Sequence, residues 1–434
     1  MRDWQPEQVA QAAGGRIAGV TAADRPAGGP VRAVIDSREA GPGDLFVGLP
    51  GVTHDGGRFA SQALDNGAWG VLVAPQHADV APGSPGNGVV LVADDPLAAL
   101  QRLATAWRRA LACPVVGVTG SVGKTTTKDL LAAMLATSLK TVANESNFNT
   151  EIGLPLTVLG AAPGTEAMVL EMGMRGAGQI AELTEIAEPD VGVITAIGPV
   201  HLELMGSIEA IAEEKAALLK GLPDGATAVI PAGEALLEPH LRPDLHVVTF
   251  GPGGDVDVDA LEGLGLQDAA RHVQVDACAA LAAARAVGVQ PGGPIEAAIS
   301  ASRGERIALS QSIVVIDDCY NANPVSVRAA LDDLAATARG RRVAVLGDML
   351  ELGPDEERFH REIGDYARRS GVDLLVAVGP LSRAYKADHS VDDAAAAAEL
   401  AGDLLQPGDT VLVKASRGIG LEAVVEALKT AKVR

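Results

Sequence analysis

The stretch VVGVTGSVGKTTT, Val115 to Thr127, sets the frame for the whole chain. An apolar, strand-like run (Val115–Val118) ends in Thr119-Gly120-Ser121-Val122-Gly123-Lys124-Thr125 and passes into DLLAAML, a helical pattern. Strand, glycine-rich turn, Lys-Thr and helix in that order read as a phosphate-binding loop. Glycines let backbone N–H groups close around phosphate oxygens, the lysine neutralises them, and a threonine hydroxyl can hold Mg²⁺. Val118 stands where the longer G-x-x-x-x-G-K-[ST] pattern has its first glycine, so the loop is a short T-G-x-x-G-K-T form. A glycine/threonine turn without a ligand is the plain alternative.

The rest of the chain bounds what such a loop can serve. A length of 434 residues exceeds one ordinary core and implies two or three domains. With 47% apolar and 21% charged residues the chain is globular. A net charge of −21 argues against nucleic acid or an anionic membrane as partner, while leaving nucleotides open through local cations and Mg²⁺. Cys113, Cys278 and Cys319 are far apart and form no C-x-x-C pair, which fits a reduced, cytoplasmic protein without disulfides or a zinc knuckle. No apolar leader opens the sequence and no stretch reads as a membrane span, so a soluble protein is expected.

Periodicity divides the chain into three α/β units. Residues 1–111 show short strands (Arg32–Asp36, Asp44–Leu49, Trp69–Val73, Val89–Ala93) closed by an amphipathic helix, Pro96–Leu111. Residues 112–310 alternate buried strands with helices, which implies a mostly parallel sheet. Residues 311–434 alternate again and predict a smaller Rossmann-like unit. Its expected strands are Ile313–Asp318, Val343–Gly347, Leu374–Val378 and Thr410–Lys414; its expected helices are Pro324–Thr337, Pro354–Ser370, Asp392–Leu405 and Ile419–Leu428. In parallel sheets ligands sit beyond the carboxyl ends of the strands, so Glu171, His201 and the phosphate loop are expected along one edge.

Glu171 (VLEMG) reads as a Mg²⁺-binding carboxylate at a strand's end, or as an ordinary solvated terminus. His201 (AIGPVHLELMGS) reads more readily as a hydrogen-bonded loop residue than as a ligand, since neutral imidazole is an unusual Mg²⁺ ligand. Lys215 lies on a helix that Ser207 caps; directly after Glu213 and Glu214 it reads as a solvated surface group. DDCYNANP (Asp317–Pro324) crowds carboxylate, phenol and amides at a strand-to-helix turn, which suggests binding, although an Asn-rich turn would look the same. GDMLELG (Gly347–Gly353) and KASRGIGLE (Lys414–Glu422) occupy the equivalent edge, and Lys414, Ser416 and Arg417 would make a carboxylate or phosphate clamp.

Together these motifs resemble the Mur ligase family nearly end to end; the short loop form is typical of ATP-dependent amide ligases more than of GTPases. IDSREAGPGDLFVGLPG and HDGGRF resemble a UDP-sugar-binding domain. TGSVGKTTT, NFNTEIGLP, LEMGMRGAGQI and HLELMGSIEAIAEEK resemble the ATPase core, and YNANP, LGDMLELG and VKASRG resemble the last third. The resemblance implies an N-terminal mixed α/β UDP-sugar domain, a central P-loop ATPase domain and a C-terminal Rossmann-like ligase domain. It further implies ATP and two Mg²⁺ ions. Gly120, Ser121, Val122, Gly123, Lys124, Thr125 and Thr126 would cradle ATP, and Thr125 with Glu171 would hold one Mg²⁺. His201 and a carbamylated Lys215 would hold the second, Arg303 would reach the nucleotide from the domain boundary, and Asp276 and Asp318 would complete the nucleotide site. Ser37 and Arg38 would lie near the uridine diphosphate, Asn147, Asn149 and Thr150 near the muramoyl peptide, and Tyr320, Asn321, Asn323, Lys414, Ser416 and Arg417 around a dipeptide cleft.

Within the family the last-third segments imply the member that joins D-Ala-D-Ala to UDP-MurNAc-tripeptide through an acyl phosphate in peptidoglycan synthesis, acting as a cytoplasmic monomer. The sequence also departs from the family. Its usual H-N-x-x-N-A reads His272-Val273-Gln274-Val275-Asp276-Ala277 here, and Asp276 can accept from an adenine amino group but offers no amide donor. Gly57 replaces a histidine common after D-G. The ligase one step earlier is the nearest rival, but its D-N-P-R segment is absent. A lipid II amidotransferase subunit would carry a cysteine cluster, and folylpolyglutamate synthase lacks the N-terminal unit. A catalytically silent nucleotide-binding scaffold is the rival from another class.

Overall fold

The computed structural model describes residues 1–20, 28–79, 88–145, 147–267, 269–296 and 303–430. Three sheets follow one another along the chain. The first holds β1 (Arg16–Val20), β2 (Arg32–Val34), β3 (Asp44–Val47), β4 (Gly70–Val73) and β5 (Val89–Val92), in the order β1-β5-β4-β3-β2. β1 runs antiparallel to β5 and the other pairings are parallel. The second is wholly parallel, in the order β11-β10-β9-β6-β8-β7. Its strands are β6 (Val115–Thr119), β7 (Thr141–Ala143), β8 (Ala167–Glu171), β9 (Val191–Ile194), β10 (Thr227–Pro231) and β11 (His246–Phe250).

The third holds β12 (Glu305–Ala308), β13 (Val314–Asp317), β14 (Arg342–Gly347), β15 (Leu374–Val378), β16 (His389–Val391) and β17 (Thr410–Lys414), in the order β12-β13-β17-β14-β15-β16. β12 adds an antiparallel edge to otherwise parallel pairing, so this sheet draws on residues ahead of the boundary expected between 310 and 311. Periodicity missed β12 because its residues are largely exposed and give no apolar run. The helix Pro6–Ala13 and β1 were likewise outside the expected pattern.

The helix Pro96–Leu111 forms where expected, for visible reasons. Asp95 accepts hydrogen bonds from the N–H groups of Leu97 and Ala98, Pro96 opens the first turn, and Ala112 stops it in the left-handed region (φ 51°). Its buried stripe of Ala99, Leu100, Leu103, Ala104 and Trp107 joins the N-terminal core to Leu154, Met168 and Ile180 of the central unit. The first two units therefore share one core. The third has its own apolar clusters on the two faces of its sheet.

β6 lies between β9 and β8, and the chain leaves it in opposite directions on its two sides. Its carboxyl end is the switch point where an open α/β sheet makes a crevice. In the third sheet β17, the last strand in the chain, is inserted between β13 and β14.

Candidate active site

The loop after β6 is shaped by its glycines. Gly120 (φ 152°) and Gly123 (φ 84°) lie where other residues rarely go, and a Cβ on either would overlap the Thr195 hydroxyl or the Asp276 carboxylate respectively. Gly123 stands at the N-cap of the helix Lys124–Ala136 and brings no side chain, so the first-turn N–H groups are left to a ligand. The loop is braced from β9's side: Ser121 N–H donates to the Ala196 carbonyl (2.8 Å), and Thr195 Oγ1 donates to the Val122 carbonyl (2.5 Å). Lys124 Nζ donates to Gly120's carbonyl at 2.9 Å, and burial lowers its pKa against the opposing pull of Glu171.

Glu171, at the end of β8, is 3% exposed and is no solvated terminus. Thr125 Oγ1 donates to its Oε2 (2.8 Å) and Asn149 Nδ2 to its Oε1 (2.8 Å). Asn144, which drew no attention in the sequence, holds the backbone there: Glu171 N–H donates to Asn144 Oδ1 (2.8 Å) and Asn144 Nδ2 to the Glu171 carbonyl (3.0 Å). Thr150 caps the next turn by accepting from Gly153 N–H (3.3 Å).

The reading of Lys215 as a surface group is overturned. It is 2% exposed. Glu214 opposes this burial only through its charge, because its carboxylate oxygens cap the helix Gln179–Ala187 through Gly178 N–H (2.7 Å) and Ile180 N–H (2.8 Å). Burial, reinforced by the charge of Lys124, drives the Lys215 pKa well below the ordinary lysine value. His201 follows β9, within electrostatic reach of Lys124 and Lys215, and burial lowers its pKa while Glu351 opposes. Phosphate loop, Glu171 and His201 thus lie beyond three adjacent strands, β6, β8 and β9, as expected.

Asp276 is 9% exposed beside Gly123, and burial raises its pKa well above the usual carboxylate value against Arg303 and Lys124. Arg303 stacks on the Tyr320 ring, 3.8 Å from its centroid, with a buried Nε that finds no partner. Arg417 approaches the same ring at 5.3 Å, and Tyr320 Oη donates to Asn147 Oδ1 (2.7 Å) across the domain boundary. Lys414 is buried and pairs with Asp318 (2.7 Å) while donating to the Asn321 carbonyl (2.8 Å). Ser416 Oγ accepts from Leu350 N–H (2.9 Å). Asn323 plays a structural part, because its side-chain oxygen caps the helix Pro324–Thr337 through Val325 and Ser326 N–H.

In the N-terminal unit Ser37 and Arg38 follow β2, with Ser37 Oγ bound to Gln62 (2.9 Å) and Arg38 paired with Asp36. The space a side chain at Gly57 would fill is taken by the ring of His77, which pairs with Asp55 at 2.7 Å. Among the described residues no three His, Cys, Asp or Glu side chains gather into a metal cluster, and no helix is long and apolar enough to cross a membrane.

Three family descriptions match in sequence. "Mur ligase family, catalytic domain" covers residues 33–108, "Mur ligase middle domain" 118–276 and "Mur ligase, glutamate ligase domain" 302–417. The chain belongs to the Mur ligase family. A UDP-N-acetylmuramoyl-tripeptide–D-alanyl-D-alanine ligase from Synechocystis sp. is 38% identical to this Mur ligase over 91% of the chain and 90% of the relative. The crystal structure of MurF from Acinetobacter baumannii superposes with a TM-score of 0.85 at 28% identity, covering 98% of both chains. MurF from Thermotoga maritima in complex with ADP gives 0.81 at 28% identity, covering 92% of this chain and 97% of that one.

Three residues of this Mur ligase's site were not singled out in the sequence. Asn144 belongs to the same polar run as NFNT, Glu214 adjoins Lys215, and Glu351 lies in GDMLELG. Only the last motif carried a usable signal, an acidic residue beyond a strand's carboxyl end.

Proposed function

We propose that this Mur ligase is a MurF: it joins the amine of D-Ala-D-Ala to the terminal carboxylate of UDP-MurNAc-tripeptide at the expense of ATP. The observation that carries the reading is the pairing of two walls. The phosphate loop with Lys124 and Glu171 faces Tyr320, Arg303 and Arg417 from the other side of a domain boundary. A transfer between nucleotide and a second substrate needs such a two-sided site.

Lys124 and the free N–H groups of its helix hold the ATP phosphates and neutralise charge, so that the peptide carboxylate can approach the γ-phosphorus. The carboxylate oxygen forms a bond to phosphorus as the bond to ADP breaks, giving an acyl phosphate. The dipeptide amine then attacks the acyl carbon, loses a proton and expels phosphate. Arg417, in the exposed C-terminal wall, is suited to hold the dipeptide carboxylate. Closure of that wall protects the acyl phosphate from water.

The residues fit two Mg²⁺ ions. Thr125 and Glu171 already converge at 2.8 Å, a hydroxyl–carboxylate pair suited to a cation that also takes phosphate oxygens. For the second, a buried lysine is a poor ligand as an ammonium. As a neutral amine it adds CO₂, losing a proton and becoming a carbamate with two oxygens, and His201 lies nearby. When bound, the ions neutralise charge between nucleotide and carboxylate.

The test is phosphate release from ATP with UDP-MurNAc-tripeptides ending in lysine or diaminopimelate, with and without D-Ala-D-Ala. One phosphate per pentapeptide formed is expected. Turnover with UDP-MurNAc-dipeptide and a free diamino acid instead would assign the chain to the preceding step.

A further inference from the structure

The loop after β14 reaches across the domain boundary at one point. Glu351 Oε2 lies 2.5 Å from His201 Nδ1, and Glu203 N–H donates to the Glu351 carbonyl at 3.3 Å. Both partners are unusual in backbone: His201 has φ 55° and Glu351 φ 64°, in the left-handed region that residues with a Cβ seldom adopt. Gly353 follows at φ 67°, where a Cβ would lie only 3.3 Å from Glu203 Cα. Strain on both sides of one contact persists only where the surroundings enforce it, and it marks the contact as used.

The surroundings do enforce it. Asp348 Oδ1 accepts from Ser382 N–H (2.7 Å), Met349 N–H donates to Nε2 of fully buried His360 (2.9 Å), and Leu350 N–H donates to Ser416 Oγ (2.9 Å). Three successive residues are thus pinned, and the next one, Glu351, projects from a rigid base with its side chain 53% exposed. A carboxylate aimed this way is not packing material for its own domain.

We propose that Glu351 is the positioning residue for His201. It accepts the Nδ1 hydrogen, fixes the imidazole tautomer and ring plane, and leaves Nε2 to face the second cation. Metal-binding imidazoles are commonly oriented by a carboxylate on the other nitrogen. Here that carboxylate belongs to the C-terminal domain, so the cation site is complete only when this domain is closed on the central one. By linkage, cation binding at His201 and domain closure favour each other. The inference rests on the reading of His201 as a cation ligand, and the test separates the two.

Bound Mn²⁺ is counted by electron paramagnetic resonance on the full chain with ADP in bicarbonate buffer. The samples are wild type, His201→Ala, Glu351→Ala and Glu351→Gln, each with its melting temperature measured. Two ions are expected for wild type and one for His201→Ala. Glu351→Ala should weaken that same ion by about 10–100-fold and leave the other unchanged; Glu351→Gln, which keeps an acceptor without the charge, should fall between. Small-angle scattering with ADP and Mn²⁺ should show Glu351→Ala more extended than wild type. If His201→Ala loses an ion but Glu351→Ala binds it as tightly as wild type, or more tightly, the positioning role is wrong and the metal reading stands. If His201→Ala keeps both ions, the metal reading fails and the role of Glu351 fails with it.

Discussion

Where the N-terminal unit meets the central one, the helix Pro96–Leu111 buries Leu100, Leu103 and Trp107 in a core shared with Leu154, Val158 and Met168. Where the central unit meets the C-terminal one, no apolar cluster among the described residues crosses the boundary, and the named contacts are polar: Tyr320 to Asn147, Glu351 to His201, Glu203 to Glu351. An apolar junction loses its whole stabilisation when it opens, whereas polar groups exchange one another for water at little net cost. The first junction is therefore expected to be a fixed joint and the second a working one. This packing predicts two bodies built from three sheets.

The strongest way to break this comparison is at the fixed joint. Trp107 is 5% exposed, stacks edge-on against Trp4 at 5.4 Å and donates its indole N–H to Ala161's carbonyl (3.0 Å). Trp107→Ala should cost about 3–5 kcal/mol of stability. Because the core is continuous, N-terminal and central units should unfold together in denaturant, followed by far-UV circular dichroism and limited proteolysis. An N-terminal unit that melts alone, with the central one intact, would refute the shared core.

Next in size are two losses on the phosphate side, where rate and not stability should fall. Lys124→Ala removes the loop's cation and should lower turnover by about a hundredfold or more, on the order of 3 kcal/mol, with the melting temperature nearly kept. Lys215→Ala should be almost inactive and regain part of its rate in concentrated acetate or formate, which can occupy the place of the carbamate. A crystal structure with nucleotide and both metals bound beside an unmodified Lys215 ammonium would end the carbamate proposal.

Arg417 lies on the C-terminal side of the proposed working joint, 5.3 Å from the Tyr320 ring. Arg417→Ala should raise KM for D-Ala-D-Ala by about tenfold or more, roughly the 1.5–3 kcal/mol of a charge-assisted hydrogen bond, with KM for ATP little changed. Equal damage to both constants would assign the guanidinium to the nucleotide or to the Tyr320 stack.

The same contrast explains what could be read from the sequence. Parallel strands buried on both faces write themselves as unbroken apolar runs, so β6, β15 and β17 and the helix Pro96–Leu111 were legible nearly to the residue. The phosphate loop was legible because its chemistry is local. From its local sequence Lys215 reads as solvated because two acidic residues precede it, and only the tertiary fold buries it and diverts Glu214 to a helix terminus 34 residues away. Glu351 and Asn144 stayed hidden for a related reason: each acts through a residue distant in sequence, and no spacing rule links position 351 to 201.

The smallest effect belongs to the single hydroxyl that ties the working joint. Tyr320 Oη donates to Asn147 Oδ1, and the ring itself is held by Arg303 and Arg417. Tyr320→Phe keeps the ring and both cation contacts and removes only that hydrogen bond, a net loss of about 0.5–1.5 kcal/mol. If the joint is a working one, this loss should fall on the open–closed equilibrium and not on folding. The melting temperature should stay put, scattering with nucleotide should report a more open particle, and KM for the peptide substrates should rise a few-fold at near-constant kcat. A drop in melting temperature as large as that of Trp107→Ala would mean that the C-terminal domain is fused to the central one, and the division into two bodies would fall.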